Sequence, residues 1–254
     1  MTPDQYLRTI AANWKRPTLD PKSFDEIACK TPILPNEYLT FAEKDLRLGG
    51  TRGLVNALGN AKRAIDCQIA GLLTGLGLAC NGNFPEKLAR VDALGIVAPR
   101  ILRKVVQLRN SLEHDFHRPQ KEEVEDAVDI ATLFLESLKP IIAGGYMSSG
   151  WIADDLTANP WPFAKEGGRL SWDTHASPTY TFSSGIYIES DLALSAIRLD
   201  LVNNNRKIAS VQIDRSHMIY PRLQAFLIKC RPDNYRFHSR SGARAFLRLL
   251  ADLK

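Results

Sequence analysis

The run Leu108-Arg109-Asn110-Ser111-Leu112-Glu113-His114 closes a segment in which Ile101, Val105, Leu108 and Leu112 recur at spacings of three and four. With Pro99 suited to a first helical position and Pro119 beyond the end, this spacing predicts a helix over residues 99–115. The same periodicity extends outward on both sides. Upstream, Leu54, Leu58, Ile65, Ile69, Leu72 and Leu76 mark a helix from a cap at Thr51 to about residue 78, broken by Asn81-Gly82-Asn83. Residues 37–48 make another, closed by Gly49-Gly50, and residues 85–94 a short one before Gly95. Downstream, Val124, Val128, Ala131, Leu135, Leu138 and Ile142 mark a helix over 121–142, with Glu122, Glu123, Glu125 and Asp126 favourably placed in its first turns. Long helices joined by short connections predict an antiparallel helical bundle over residues 36–143.

The flanks differ. Residues 1–35 hold five of the fourteen prolines and read as an N-terminal arm, with a short helix over residues 3–14. Gly144-Gly145 ends the helical pattern, and residues 144–168, rich in Gly, Pro and Trp, read as a linker. Period-two segments then fall at 179–182, 186–189, 196–202 and 207–214, with Asn203-Asn204-Asn205 as a hairpin turn. Tyr220-Pro221 opens a helix to about Cys230, and Ser241 caps a last one to Leu253. The expected class is α+β: a helical bundle followed, over residues 169–254, by a small basic α+β domain with an antiparallel sheet.

Composition bounds the function. At 254 residues with 44% apolar and 24% charged side chains, the chain has the make-up of a globular protein with room for a large core. It has no apolar run near the roughly 20 residues of a membrane span, and the first fourteen residues lack a signal-peptide core. Cys29, Cys67, Cys80 and Cys230 are scattered singly, which suits reduced thiols in the cytoplasm and neither a zinc site nor another metal or cofactor site. The net charge of +5 is uneven: residues 1–144 carry 19 basic and 18 acidic side chains, residues 198–254 carry 12 and 4. A basic C-terminal region suits a polyanion such as RNA, and equally a solvated surface.

The opening run carries chemistry. A guanidinium grips phosphate with a planar fork of donors, and imidazole exchanges protons near neutrality. Asn110 and His114 share a helix face, whereas Arg109 lies about 140° from His114 and pairs in sequence with Glu113. His117 follows one turn later. The competing reading is a salt-bridged helix end, with Arg109 on Glu113 and the histidines capping carbonyls. Spacing alone does not select the run. With 20 Arg and 5 His, an Arg followed four to six residues later by His is expected about once by chance. It also occurs at Arg169–His175, with Arg231–His238 one residue outside that window, but only Arg109 is followed by an amide on a helix. His175, His217 and His238 have no partner at catalytic spacing. Arg236, Arg240, Arg244 and Arg248 recur every four residues; the last three would stripe the terminal helix as an RNA-tracking row or as its wet side.

From Arg109-Asn110 through Glu113-His114, placed at the end of the third long helix and followed by Glu122-Glu123-Val124, the chain resembles the HEPN superfamily over about residues 36–143. The stretch Arg52 to Asp66 is similar to the second helix of some members. The resemblance implies a bundle of four or five helices that dimerises and brings two copies of the motif face to face. It also implies metal-independent endoribonuclease activity, often in toxins or defence effectors, without cofactor. Arg109 would then bind the scissile phosphate, Asn110 would position it or its neighbours, and His114 would handle protons. The partners expected are RNA, a second copy of the chain, and an antitoxin or regulatory partner. A non-catalytic module binding nucleotide, RNA or protein fits the same residues, as does a toxin–antitoxin component whose basic C-terminal domain senses a ligand.

Overall fold

The computed structural model of the chain describes residues 17–96, 99–116, 118–153, 163–166, 169–172, 185–203, 206–231 and 240–251. Among these lie seven helices: α1 (Pro35–Leu48), α2 (Gly50–Gly75), α3 (Phe84–Ala93), α4 (Pro99–His114), α5 (Lys121–Ile142), α6 (Tyr220–Lys229) and α7 (Arg240–Ala251). The strands are β1 (Thr18–Asp25), β2 (Tyr146–Ala153), β3 (Phe163–Glu166), β4 (Arg169–Trp172), β5 (Gly185–Asp191), β6 (Ala196–Asn203) and β7 (Arg206–Asp214). The protein is mixed α and β, with an antiparallel five-stranded sheet in the order β1-β2-β5-β6-β7 and a separate β3–β4 pair.

Helix α2 is the centre of the helical part and packs on α1, α3, α4 and α5. Its buried residues include Ala57, Leu58, Ala61, Ala64, Ile65, Ile69, Leu72 and Leu73, a face whose small alanines let neighbouring helices approach. Its start is set by Gly49 and Gly50, both in the left-handed region at φ 70° and 65°, so that α1 turns into α2 with one intervening residue. Thr51 therefore lies inside the helix and is not its cap. Asn83 caps α3 by accepting from the Glu86 N–H at 3.0 Å, and the Glu123 carboxylate accepts from Gln120 N–H at 2.9 Å to start α5.

The sheet draws on chain from both sides of the helical part. Strand β1 comes from the segment expected as an arm and β2 from the segment expected as a linker. Seven of the eight residues of β2 are buried, because β1 and β5 pair with it on either side and α6 packs on it. Strand β1 holds Pro21 on the sheet edge beside a bulge, where a missing N–H breaks no interior ladder. The inner face carries Ile152, Ile186, Ile188, Ile197, Leu199, Leu201 and Ile213, all buried. The other face pairs Trp151 with Tyr187, whose rings lie 5.1 Å apart, and runs a charge ladder from Glu189 through Arg198 and Asp200 to Lys207.

Helix α6 buries Leu223, Phe226 and Leu227, and Phe226 meets Phe246 of α7 at 5.2 Å between ring centres. The buried apolar side chains of the helical part and of the sheet form one continuous cluster, to which Tyr146, Met147 and Ile152 of β2 belong. The expected helix over 3–14, the strand at 179–182 and Asn204-Asn205 of the expected turn lie outside the described residues. Strands β6 and β7 do pair antiparallel up to Asn203 and Arg206. Ser241 falls within the first turn of α7, one residue after its start.

Candidate functional site

Helix α4 presents its apolar side to the core through buried Leu102 and Val105 and half-buried Leu108 and Leu112. Ile101, expected on this stripe, is 50% exposed. The helix is rolled toward Leu102, its neighbour of equal apolarity about 100° further round. That roll decides the site. It turns Arg109 to the core side, where it is half-buried, and leaves Asn110 and His114 exposed.

At helical spacing the exposed side of α4 is a polar row of Arg103, Gln107, Asn110 and His114, all exposed. Arg103 and Gln107 were missed in the sequence, although the period running back from His114 reaches both. The chain leaves α4 through Asp115 and Phe116. Phe116 takes a left-handed conformation at φ 53° and stands 88% exposed, an apolar ring in solvent two residues beyond His114. Asn110 and His114 are therefore one turn apart on an open face, whereas Arg109 of the same chain lies about 140° away around the helix. A cavity of about 190 Å³ between α4 and α5 has Lys104, Leu108, Glu123 and Asp126 in its walls; Arg109, Asn110 and His114 do not line it.

The other sequence candidates lie on other elements. Arg240, Arg244 and Arg248 are all exposed on α7, opposite buried Ala243, Phe246, Leu247 and Leu250. His217 closes the turn after β7, its Nδ1 accepting from the Ile219 N–H at 3.3 Å. His117, His175, His238, Arg236 and the side chain of Glu113 lie outside the described residues.

The four cysteines are free thiols. Burial pushes the Cys230 thiol well up from its ordinary value, and burial with the neighbouring Cys67 raises that of Cys29, so neither supplies a ready thiolate. Among the described residues no three His, Cys, Asp or Glu side chains gather as a metal-ligand set, and no helix is long and apolar enough to cross a membrane. The chain matches no protein-family model, no curated protein and no solved structure.

Proposed function

We propose that residues 36–143 form a HEPN-like helical bundle and that the protein is a metal-independent endoribonuclease, built as a homodimer with a shared Arg109–Asn110–His114 site. The observation that carries this reading is the exposure of Asn110 and His114, side by side at the C-terminal end of α4. A phosphodiester reaching that face meets an amide donor and an imidazole together.

The reaction uses groups that RNA itself provides. The 2′-hydroxyl loses its proton to a base and its oxygen bonds to the adjacent phosphorus. The bond from phosphorus to the 5′-oxygen breaks, and that oxygen takes a proton from an acid. The products are a 2′,3′-cyclic phosphate and a 5′-hydroxyl. One imidazole serves as base and another as acid, so two copies of His114 fit the two proton transfers. Such positioned acid–base groups contribute about 10²–10⁴-fold in rate. Guanidinium donors near the charge that builds on phosphorus add electrostatic stabilisation. Because Arg109 and His114 of one helix diverge, the guanidinium that meets a given His114 comes from the second copy. The exposed arginines of α7 supply sequence-independent contacts to the RNA backbone. In the cell this reading corresponds to a cytoplasmic toxin or defence effector held by an antitoxin or regulatory partner.

The experiment is cleavage of single-stranded RNA by the intact protein with EDTA present, beside the matching DNA. RNA cut in chelator and DNA left whole are expected; RNA left whole at high protein concentration refutes the proposal. The half-burial of Arg109 favours a second reading, a non-catalytic module that binds RNA, nucleotide or protein. Under it, RNA stays whole with the wild-type protein and Arg109→Ala lowers stability.

A further inference from the structure

A cavity of about 560 Å³ opens between α3, the turn after α2 and the turn from β7 into α6. Small-molecule sites run from roughly 300 to 1,000 Å³. Its walls are largely apolar, with Leu78, Ala93, Leu94 and Pro221 among them. Into this wall three separate elements bring one arginine each: Arg90 from α3, Arg215 from the β7–α6 turn and Arg222 from the first turn of α6.

No carboxylate is among the described residues lining it. The nearest in the turn, Asp214, is bent back on its own loop, accepting from Ser216 N–H at 2.8 Å and from Ser216 Oγ at 2.5 Å. Those bonds hold it below the usual carboxylate range. An anion placed among three guanidinium groups is attracted by each of them. Arg90 is steadied at the rim by a bond from Nη1 to the Asn81 carbonyl.

The wall residues Gly77 and Pro221 each adjoin a buried, hydrogen-bonded residue, Leu76 and Tyr220. Tyr220 Oη and Gln224 Nε2 both donate to the Leu76 carbonyl, at 2.9 and 3.2 Å. Gly77, in the wall at φ 68°, lies so near Tyr220 that a Cβ there would come within 2.8 Å of the hydroxyl. Wall segments held in place by such neighbours lose little freedom on binding.

We propose that this cavity binds a small phosphomonoester with an apolar body, the dianion held by Arg90, Arg215 and Arg222 and the body against Leu78, Leu94 and Pro221. A guanidinium fork matches phosphate geometry, and three forks match a dianion better than a single carboxylate. The occupant touches α3 on one side and α6 on the other, so binding ties the helical part to the sheet part and stabilises the fold by linkage. The site shares no residue with α4 and does not depend on RNA cleavage.

The test is calorimetric titration of the full chain with 1-naphthyl phosphate, beside 1-naphthol, 1-naphthoate and inorganic phosphate. Saturable binding of the naphthyl phosphate is expected, at least tenfold tighter than any of the three, with a rise in the thermal midpoint. Arg215→Gln with Arg222→Gln weakens it at least tenfold. Ala93→Trp, which fills the hollow from an exposed position, abolishes it. Arg47→Gln, an exposed arginine of α1, leaves it unchanged. Unfolding midpoints check that each variant is folded. The proposal is overturned by no saturable binding, by equal binding of naphthol or naphthoate, or by double-arginine protein that binds like wild type. Displacement by a short RNA at a lower phosphate concentration than inorganic phosphate requires also overturns it, assigning the arginines to an RNA surface.

Discussion

Tyr220 Oη donates to the Leu76 carbonyl at 2.9 Å, joining the end of α2 to the start of α6 across 144 positions of sequence. Gln224 completes the junction. Its Nε2 donates to Tyr220 Oη at 2.7 Å and to Leu76 O at 3.2 Å, while its Oε1 accepts from Tyr146 Oη of β2 at 2.8 Å. Ser190 of β5 lies 2.6 Å from the same tyrosine hydroxyl. Burial is the largest influence on Tyr146 and keeps its phenol protonated well beyond the ordinary range.

Because each group in this network is buried and engaged, truncation leaves partners stranded. Gln224→Leu is expected to cost about 1–3 kcal/mol of unfolding free energy, the range for orphaned buried polar groups. Tyr220→Phe should cost less, since Leu76 keeps its bond from Gln224. Urea unfolding of both variants measures this; equal stability of Gln224→Leu and wild type would contradict it.

A second prediction concerns the seam between α2 and the chain after β1. A Cβ on Gly71 would lie 1.8 Å from Cys29 Sγ. Gly71→Ala should therefore destabilise by about 1–3 kcal/mol through overpacking. Cys29→Ala removes the sulfur and should relieve a measurable part of that penalty, which a double-mutant cycle detects as coupling.

The charge ladder on the outer sheet face gives a pH dependence. Burial raises the Asp200 carboxyl, but the Ser210 hydroxyl at 2.5 Å, Lys207 at 3.1 Å and Arg198 at 3.3 Å outweigh it and hold the group below its ordinary value. A carboxylate lowered on folding adds stability above its unfolded pKa of about 3.9 and loses it as pH falls through the folded value. Asp200→Asn should thus be less stable than wild type at pH 6–8 by about 1.5–3 kcal/mol, the scale of hydrogen bonds to charged groups. The gap should close as pH falls below about 4, which unfolding curves across pH will show.

On α7 the arginines predict a binding effect without a folding one. Replacing Arg240, Arg244 and Arg248 together by Gln should change stability by less than about 0.5 kcal/mol, since all three are exposed. RNA affinity should fall, and the slope of log K against log salt should flatten by about 0.7 for each phosphate left without its arginine. Filter binding at several salt concentrations measures it.

These assignments differ in how far the sequence reveals them. Helix α5 is legible end to end, because its apolar residues keep helical period and its first turn is acidic. Strands β5, β6 and β7 are legible because one face is wet: exposed Arg198 stands between buried Ile197 and Leu199. Strand β2 is not. Buried throughout most of its length, it has no alternation, and Ser148-Ser149-Gly150 imitates a loop. Strand β1 is hidden by Pro21, which breaks an interior strand but sits harmlessly on an edge.

At the site, spacing alone places Asn110 and His114 on one face. The roll of α4 is not legible, since Ile101 and Leu102 are equally apolar and only packing chooses between them. That choice settles the half-burial of Arg109. The cavity arginines Arg90, Arg215 and Arg222 share no motif; the tertiary packing of α3 beside the β7–α6 turn alone brings them together.

The central claim is tested most directly by the chemistry of the product ends. Single-stranded RNA incubated with the protein in EDTA and analysed by mass spectrometry should show 2′,3′-cyclic phosphates with matching 5′-hydroxyls. His114→Ala, folded by its unfolding midpoint, should yield none. Intact RNA with the wild-type protein, or the same cyclic ends from His114→Ala, would contradict the account.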